Sequence, residues 1–166
     1  AAAPWPDFIE ELSDAEIAQL GLWTKSQLQA MAQANPGSAW YIFGEPNRYG
    51  YMTGDKWAPL FRYFATVLKA ADPTSTILSP SVLNWDFTCI GCIGYQLGMD
   101  WANAFVDAYE AKYGLKPPVD VWAIDTYPID WINTPNNDPD LSQRPLYVPG
   151  AGPINFAGGG SEKHSS

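Results

Sequence analysis

Hydrophobic positions along the chain follow two different periods, and the alternation between them divides the sequence into strand–helix units. Trp57, Leu60, Phe61, Phe64 and Leu68 recur at helical steps, as do Ala104, Phe105, Ala108 and Tyr109. Leu28 and Met31 mark one face of a third, shorter helix over Lys25–Ala34. Between these segments lie short apolar runs at 39–44, 75–79 and 119–124, each bounded by turn-forming residues, which read as strands.

Punctuation supports this division. Ser13-Asp14-Ala15-Glu16 has the form of a capping box opening a helix over 14–20, which Gly21 closes. Thr24 caps the next helix, and Asn35-Pro36-Gly37-Ser38 turns the chain into the first strand. Asp55 starts the following helix and Ala71-Asp72-Pro73 ends it. Asp100 is expected to cap a helix over 101–113, with Gly114 as its stop. The strand starts are one strand–loop–helix–loop unit apart, too far for hairpins, so parallel βαβ connectivity is favoured.

The pattern fades near Asp130. Residues 1–130 therefore read as one α/β domain of about three parallel βα units, and 131–166 as a Pro/Gly/Asn-rich irregular arm or disordered tail. Leu146-Tyr147-Val148 is at most a short strand there. A closed eight-fold barrel usually takes about 250 residues. The fold class expected is thus an incomplete TIM-barrel-like α/β arrangement, its exposed edges covered by the arm, by a second copy or by a complementary barrel segment.

Charge narrows the partners. Lys plus Arg number 9 against 18 Asp plus Glu, a net charge of −9, so phosphate backbones are repelled and nucleic acid is not an expected partner. No apolar run is long enough to span a membrane. The 8 Trp and 9 Tyr suit a neutral carbohydrate, although each ring serves equally well in the core. Cys89 and Cys92 in Cys-Ile-Gly-Cys read as a local disulfide or plain thiols, with a redox-active pair as the alternative. A metal site is poorly supported because the one histidine, His164, lies far away in a polar tail. No cofactor is called for. A secreted location is slightly favoured, without a signal segment to decide it.

The chemistry-bearing residues cluster at the predicted strand ends. Glu45 follows the apolar run Trp40-Tyr41-Ile42-Phe43 and precedes Pro46, where partial burial would raise its pKa toward the range of a general acid. Asp125 follows the third strand and is the second catalytic candidate; capping a turn or binding Arg48 are its structural alternatives. Asn47, Tyr49, Asn84, Trp85, Asp86 and Tyr127 supply the mixture of rings, amides and carboxylates that binds polyols. A phosphate loop is excluded by the glycine spacing, and a Ser-His-acid triad by the lack of a suitable histidine.

Trp40-Tyr41-Ile42-Phe43-Gly44-Glu45-Pro46-Asn47 resembles the strand-four segment of clan-A glycoside hydrolases, (β/α)8 retaining enzymes whose glutamate there is the acid/base. Ala71-Asp72-Pro73 with its following strand resembles the fifth unit. The segment from Val119 to Tyr127 is similar to the sixth. The resemblance covers roughly residues 35–127 and implies hydrolysis of an O-glycosidic bond with Glu45 as acid/base. A non-catalytic carbohydrate-binding or structural fragment is the alternative. This chain has Gly44 where the family usually has Asn, and Asp125 where relatives often carry histidine. No unit resembling strand seven, which bears the family's nucleophile, follows Tyr127; Glu162, the one later glutamate, lies in the Gly/Ser tail.

Overall fold

The computed structural model describes residues 5–86, 93–125, 145–148 and 152–155. Helices α1 (Asp14–Gln19) and α2 (Lys25–Ala34) precede strand β1 (Ala39–Tyr41). A 3-10 turn, Pro46–Arg48, and the long α3 (Gly54–Ala71) lead to β2 (Thr76–Leu78) and β3 (Val82–Leu83). Helix α4 (Gly98–Tyr113) precedes β4 (Ile124–Asp125), and β5 (Pro145–Val148) pairs antiparallel with β6 (Gly152–Asn155). The arm thus contains a strand pair where the sequence pattern offers a single short strand.

The caps predicted at Ser13 and Thr24 form as chemistry dictates. Ser13 accepts the Glu16 amide at 3.3 Å while the Glu16 carboxylate accepts the Ser13 amide at 2.8 Å. Thr24 and Gln27 repeat the reciprocal pair on α2. Asp100 does not act as a cap: α4 begins earlier, at Gly98, with Leu97 in the cap position and no side-chain bond. The start is set instead by bonding to the strand-end loop, where the Met99 amide donates to Trp85 O at 2.9 Å.

The three passes of the chain lie side by side and parallel. β1 pairs with β2, β3 pairs with β4, and isolated parallel bridges Gly44↔Ser81 and Leu78↔Val121 join the two pairs. The middle pass carries both β2 and β3, separated by the buried Pro80, which cannot donate to a ladder. This is an α/β fold with an open sheet, flanked by alternating helices. The third pass is more irregular than the predicted strand over 119–124. Within it Val121 and Ile124–Asp125 make the pairings, and Val121, Trp122 and Ile124 are about half exposed because nothing among the described residues pairs with their outer edge.

The core lies between the sheet and the helices. Trp57, Leu60, Phe61 and Leu68 of α3 are buried, as the periodicity predicts, and α2 and α4 cover its flanks. On α4 the buried face is Trp101, Ala102, Phe105 and Tyr109, whereas Ala104 is exposed. The larger rings draw the helix round by their greater apolar area. Phe61 meets Phe105 edge-on at 5.2 Å and Trp101 stacks on Phe105 at 5.6 Å. Close approach requires Gly54, since a Cβ there would sit 2.4 Å from the Phe105 nitrogen. The N-terminal segment clamps the pair: Arg62 binds Glu10 at 2.7 Å and lies between the rings of Phe8 and Tyr113.

Candidate functional site

Parallel pairing carries the ends of β1, the middle pass and β4 to the same edge of the sheet. Glu45 leaves β1 with φ 52° and ψ 45°, the left-handed region that a residue with a Cβ rarely adopts. Pro46 disfavours the right-handed alternative at the preceding position. The backbone is held there from the neighbouring strand: the Glu45 amide donates to Ser81 O at 2.7 Å and the Ser81 amide donates to Phe43 O at 3.1 Å. Such a conformation costs about 1–3 kcal/mol and persists only where its surroundings impose it.

The Glu45 side chain is 22% exposed and lies 3.7 Å from Arg48 Nη1. Burial raises its pKa above the ordinary glutamate value, the Asp125 charge raises it further, and Arg48 acts in the opposite direction. Asp125 is therefore electrostatically coupled to Glu45 across the sheet. It is not the partner of Arg48. Instead it accepts the Tyr41 hydroxyl at 3.3 Å, and its own carbonyl accepts the Asn84 amide at 2.8 Å.

Tyr41 is the member of this group that sequence reasoning misses. A signal exists in the strand alternation, since Tyr41 stands an even number of residues before Glu45, but a ring in an apolar run reads as core. It is 51% exposed. Burial of its hydroxyl end raises the phenol pKa, and the nearby Ser81 hydroxyl works against this; the charges of Asp125 and Glu45 raise it again. Ser81 Oγ itself is buried without a well-formed hydrogen bond.

The other candidates divide sharply. Asn47 is fully buried and its amide is committed to backbone: it donates to Leu83 O and Gln96 O, each at 2.8 Å, and accepts the Leu83 amide at 2.7 Å. It fastens the turn after Glu45 to the middle pass and is not available to a ligand. Asn84 is buried with φ 50°, and Trp85 packs partly buried against the core, while Asp86 is exposed. Tyr49 and Tyr51 are exposed, with rings 5.6 Å apart and tilted by 32°, and Arg48 lies over the Tyr49 ring at 5.7 Å. Tyr127, Cys89 and Cys92 lie outside the described residues.

Among the described residues no group of three or more His, Cys, Asp or Glu could hold a metal ion, and no helix is long and apolar enough to cross a membrane. A cavity of about 400 Å³ opens elsewhere, lined by Trp5, Asp7, Asp55, Lys56, Pro59 and Lys112, and shares none of the strand-end residues.

No family model matches the chain, and no curated protein matches it. Among solved structures, it is similar to the crystal structure of a GH128 (subgroup II) endo-β-1,3-glucanase from Pseudomonas viridiflava. The identity is 25% and the TM-score 0.51, over 72% of this chain. This chain spans 44% of that chain's length. The likeness is to a glycoside-hydrolase-like fold in general.

Proposed function

We propose that this chain carries the acid/base side of a retaining (β/α)8 glycoside hydrolase site that cleaves O-glycosidic bonds, with a β-1,3-linked glucan as the substrate class. The observation that carries the reading is Glu45, held in left-handed backbone at the end of a parallel strand, with a pKa raised by burial and by Asp125. A raised pKa keeps a carboxylic acid protonated at the pH where it must donate. The likeness to a glucanase fold supports the glycoside-hydrolase reading in general.

In this reading Glu45 gives its proton to the glycosidic oxygen as the bond to the anomeric carbon breaks. A separate carboxylate forms the covalent sugar ester, and Glu45, now a base, takes a proton from the water that hydrolyses it. Burial, with the Asp125 charge added to it, holds Glu45 protonated, and Arg48 stabilises the carboxylate that remains after proton transfer. Tyr49 and Tyr51 offer planes for sugar rings beyond the 3-10 turn. That exposed pair also supports a second reading, carbohydrate binding without turnover, in which Glu45 and Arg48 serve only as hydrogen-bonding groups.

The test is Glu45→Gln assayed on β-1,3-glucan and on aryl β-glucosides with activated leaving groups. General acid catalysis contributes about 10²–10⁴-fold. The glucan rate should fall by that factor, while the activated substrate, whose leaving group needs no proton, should lose much less in its first step. Equal loss on both substrates, or none, would remove the acid assignment.

A further inference from the structure

We propose that Tyr41 is a substrate-contacting residue, its hydroxyl acting with the Asp125 carboxylate to read one ring hydroxyl of the sugar bound beside Glu45. The inference rests on the reading of this mouth as a carbohydrate site and adds a recognition element to it.

The geometry supports the pairing in three ways. The Tyr41–Asp125 contact, at 3.3 Å, is longer than the usual O–H···O distance of about 2.7–2.8 Å, so the pair is not closed upon itself. A sugar hydroxyl is both acceptor and donor. It can take the proton of the phenol and give its own to the carboxylate, satisfying both groups at once. Next, the Tyr41 side chain is half exposed at the edge where Glu45 emerges, so a sugar beside Glu45 meets this residue, whose hydroxyl end is set among Asp125, Ser81 and Gly44.

Gly44 is the third support. A Cβ on Gly44 would stand 2.5 Å from the Tyr41 oxygen and 3.4 Å from its Cζ. The phenol hydroxyl therefore occupies the space of a side chain at position 44, directly before the acid. Glycine at 44 and tyrosine at 41 form one device: the first leaves the space and the second fills it with a donor.

The experiment uses the whole 166-residue chain, with β-1,3- and β-1,4-linked glucose pentasaccharides and single-deoxy analogues as probes. Binding is measured by calorimetry in a Glu45→Gln background, which separates binding from turnover, and hydrolysis is measured with Glu45 intact. Tyr41→Phe should weaken binding of the parent sugar roughly 2- to 13-fold, the range of one neutral hydrogen bond. It should leave binding of the analogue lacking the read hydroxyl unchanged, an outcome that a general loss of packing does not produce. Gly44→Ala should give a similar loss with Tyr41 present and little further loss in Tyr41→Phe. If the alanine variant fails to fold, the deoxy comparison with Tyr41→Phe stands alone.

Equal binding with and without the Tyr41→Phe substitution, across all analogues, overturns the proposal. Binding that depends on Tyr41 in a chain that cleaves nothing leaves it standing and removes the acid reading. Cleavage that is indifferent to Tyr41 does the reverse. No binding to either pentasaccharide overturns it together with the carbohydrate reading.

Discussion

Two carboxylates at opposite ends of the same sheet have opposite fates. Asp72, just before β2, accepts hydrogen bonds from the Gly37 amide at 2.7 Å, the Thr74 amide at 3.0 Å, and the hydroxyls of Thr74 and Ser75 at 2.6 and 2.9 Å. These donors, the Thr74 hydroxyl foremost, bring its pKa down to about 2. Glu45, at the far end of β1, has burial and a like charge against it, with one cation, Arg48 at 3.7 Å, in its favour. The first end is built so that its polar groups are satisfied in the folded chain. The second leaves the buried Ser81 hydroxyl without a well-formed hydrogen bond and holds Glu45 in left-handed backbone. In (β/α)8 barrels the C-terminal ends of strands carry chemistry and the N-terminal ends carry stability, and the proposed role of Glu45 follows that division.

The largest expected effect on that contrast is in the core that both ends share. Phe61→Ala should cost about 3–5 kcal/mol of stability by chemical denaturation, because it opens a cavity between α3 and α4. It should abolish folding of both ends together. A variant that lost only one end would show that they fold separately.

Next comes Asn47→Ala, which leaves the buried Leu83 amide without its acceptor and should cost about 1–3 kcal/mol. It should also release the turn after Glu45, lowering sugar binding more than Leu28→Ala does at a similar loss of stability. Equal effects on binding would deny Asn47 its positioning role.

The pH dependence sharpens the comparison further. Asp72 has a lowered folded pKa, so its contribution is present above the unfolded value of 3.8 and is lost as pH falls toward about 2. Asp72→Asn should therefore lower Tm at neutral pH and flatten the acid decline. Glu45 has a raised folded pKa, so its contribution is present below 4.5 and is lost as pH rises through the folded value. Glu45→Gln should match the parent near about pH 4 and exceed its Tm near about pH 8, since its neutral amide never acquires the charge. Parallel pH profiles for the two variants would dissolve the distinction between the ends.

The smallest effect is in the activity profile. Removing the Asp125 charge by Asp125→Asn should lower the Glu45 pKa and bring the basic limb of kcat/KM to lower pH. Arg48→Met should move that limb up. A limb that ignores both substitutions belongs to another group.

Much of the framework was legible because it rests on local rules. The capping box at Ser13, the cap at Thr24, the helical stripe from Trp57 to Leu68, and Gly114 as the end of α4 follow from a few neighbouring residues each. The departures all involve distant partners. Asp100 lost the cap position because the Trp85 loop claims the Met99 amide, and the third pass frayed because its outer edge has no described neighbour. Asn47 carried the same polar signal as a ligand-binding amide, but Leu83 and Gln96 consume it.

Sequence by itself determined where strands and helices alternate, that the passes run parallel, and that Glu45 and Asp125 stand at strand ends. Period, caps and connection lengths act over a few residues, so they can be read from order alone. Only the tertiary structure decided that Asp125 acts on Glu45, that Tyr41 turns its hydroxyl toward that carboxylate, and that Gly44 makes room for it. The first two relations depend on register between strands more than thirty residues apart in sequence. A one-residue slip in that register would turn the same side chains to the opposite face.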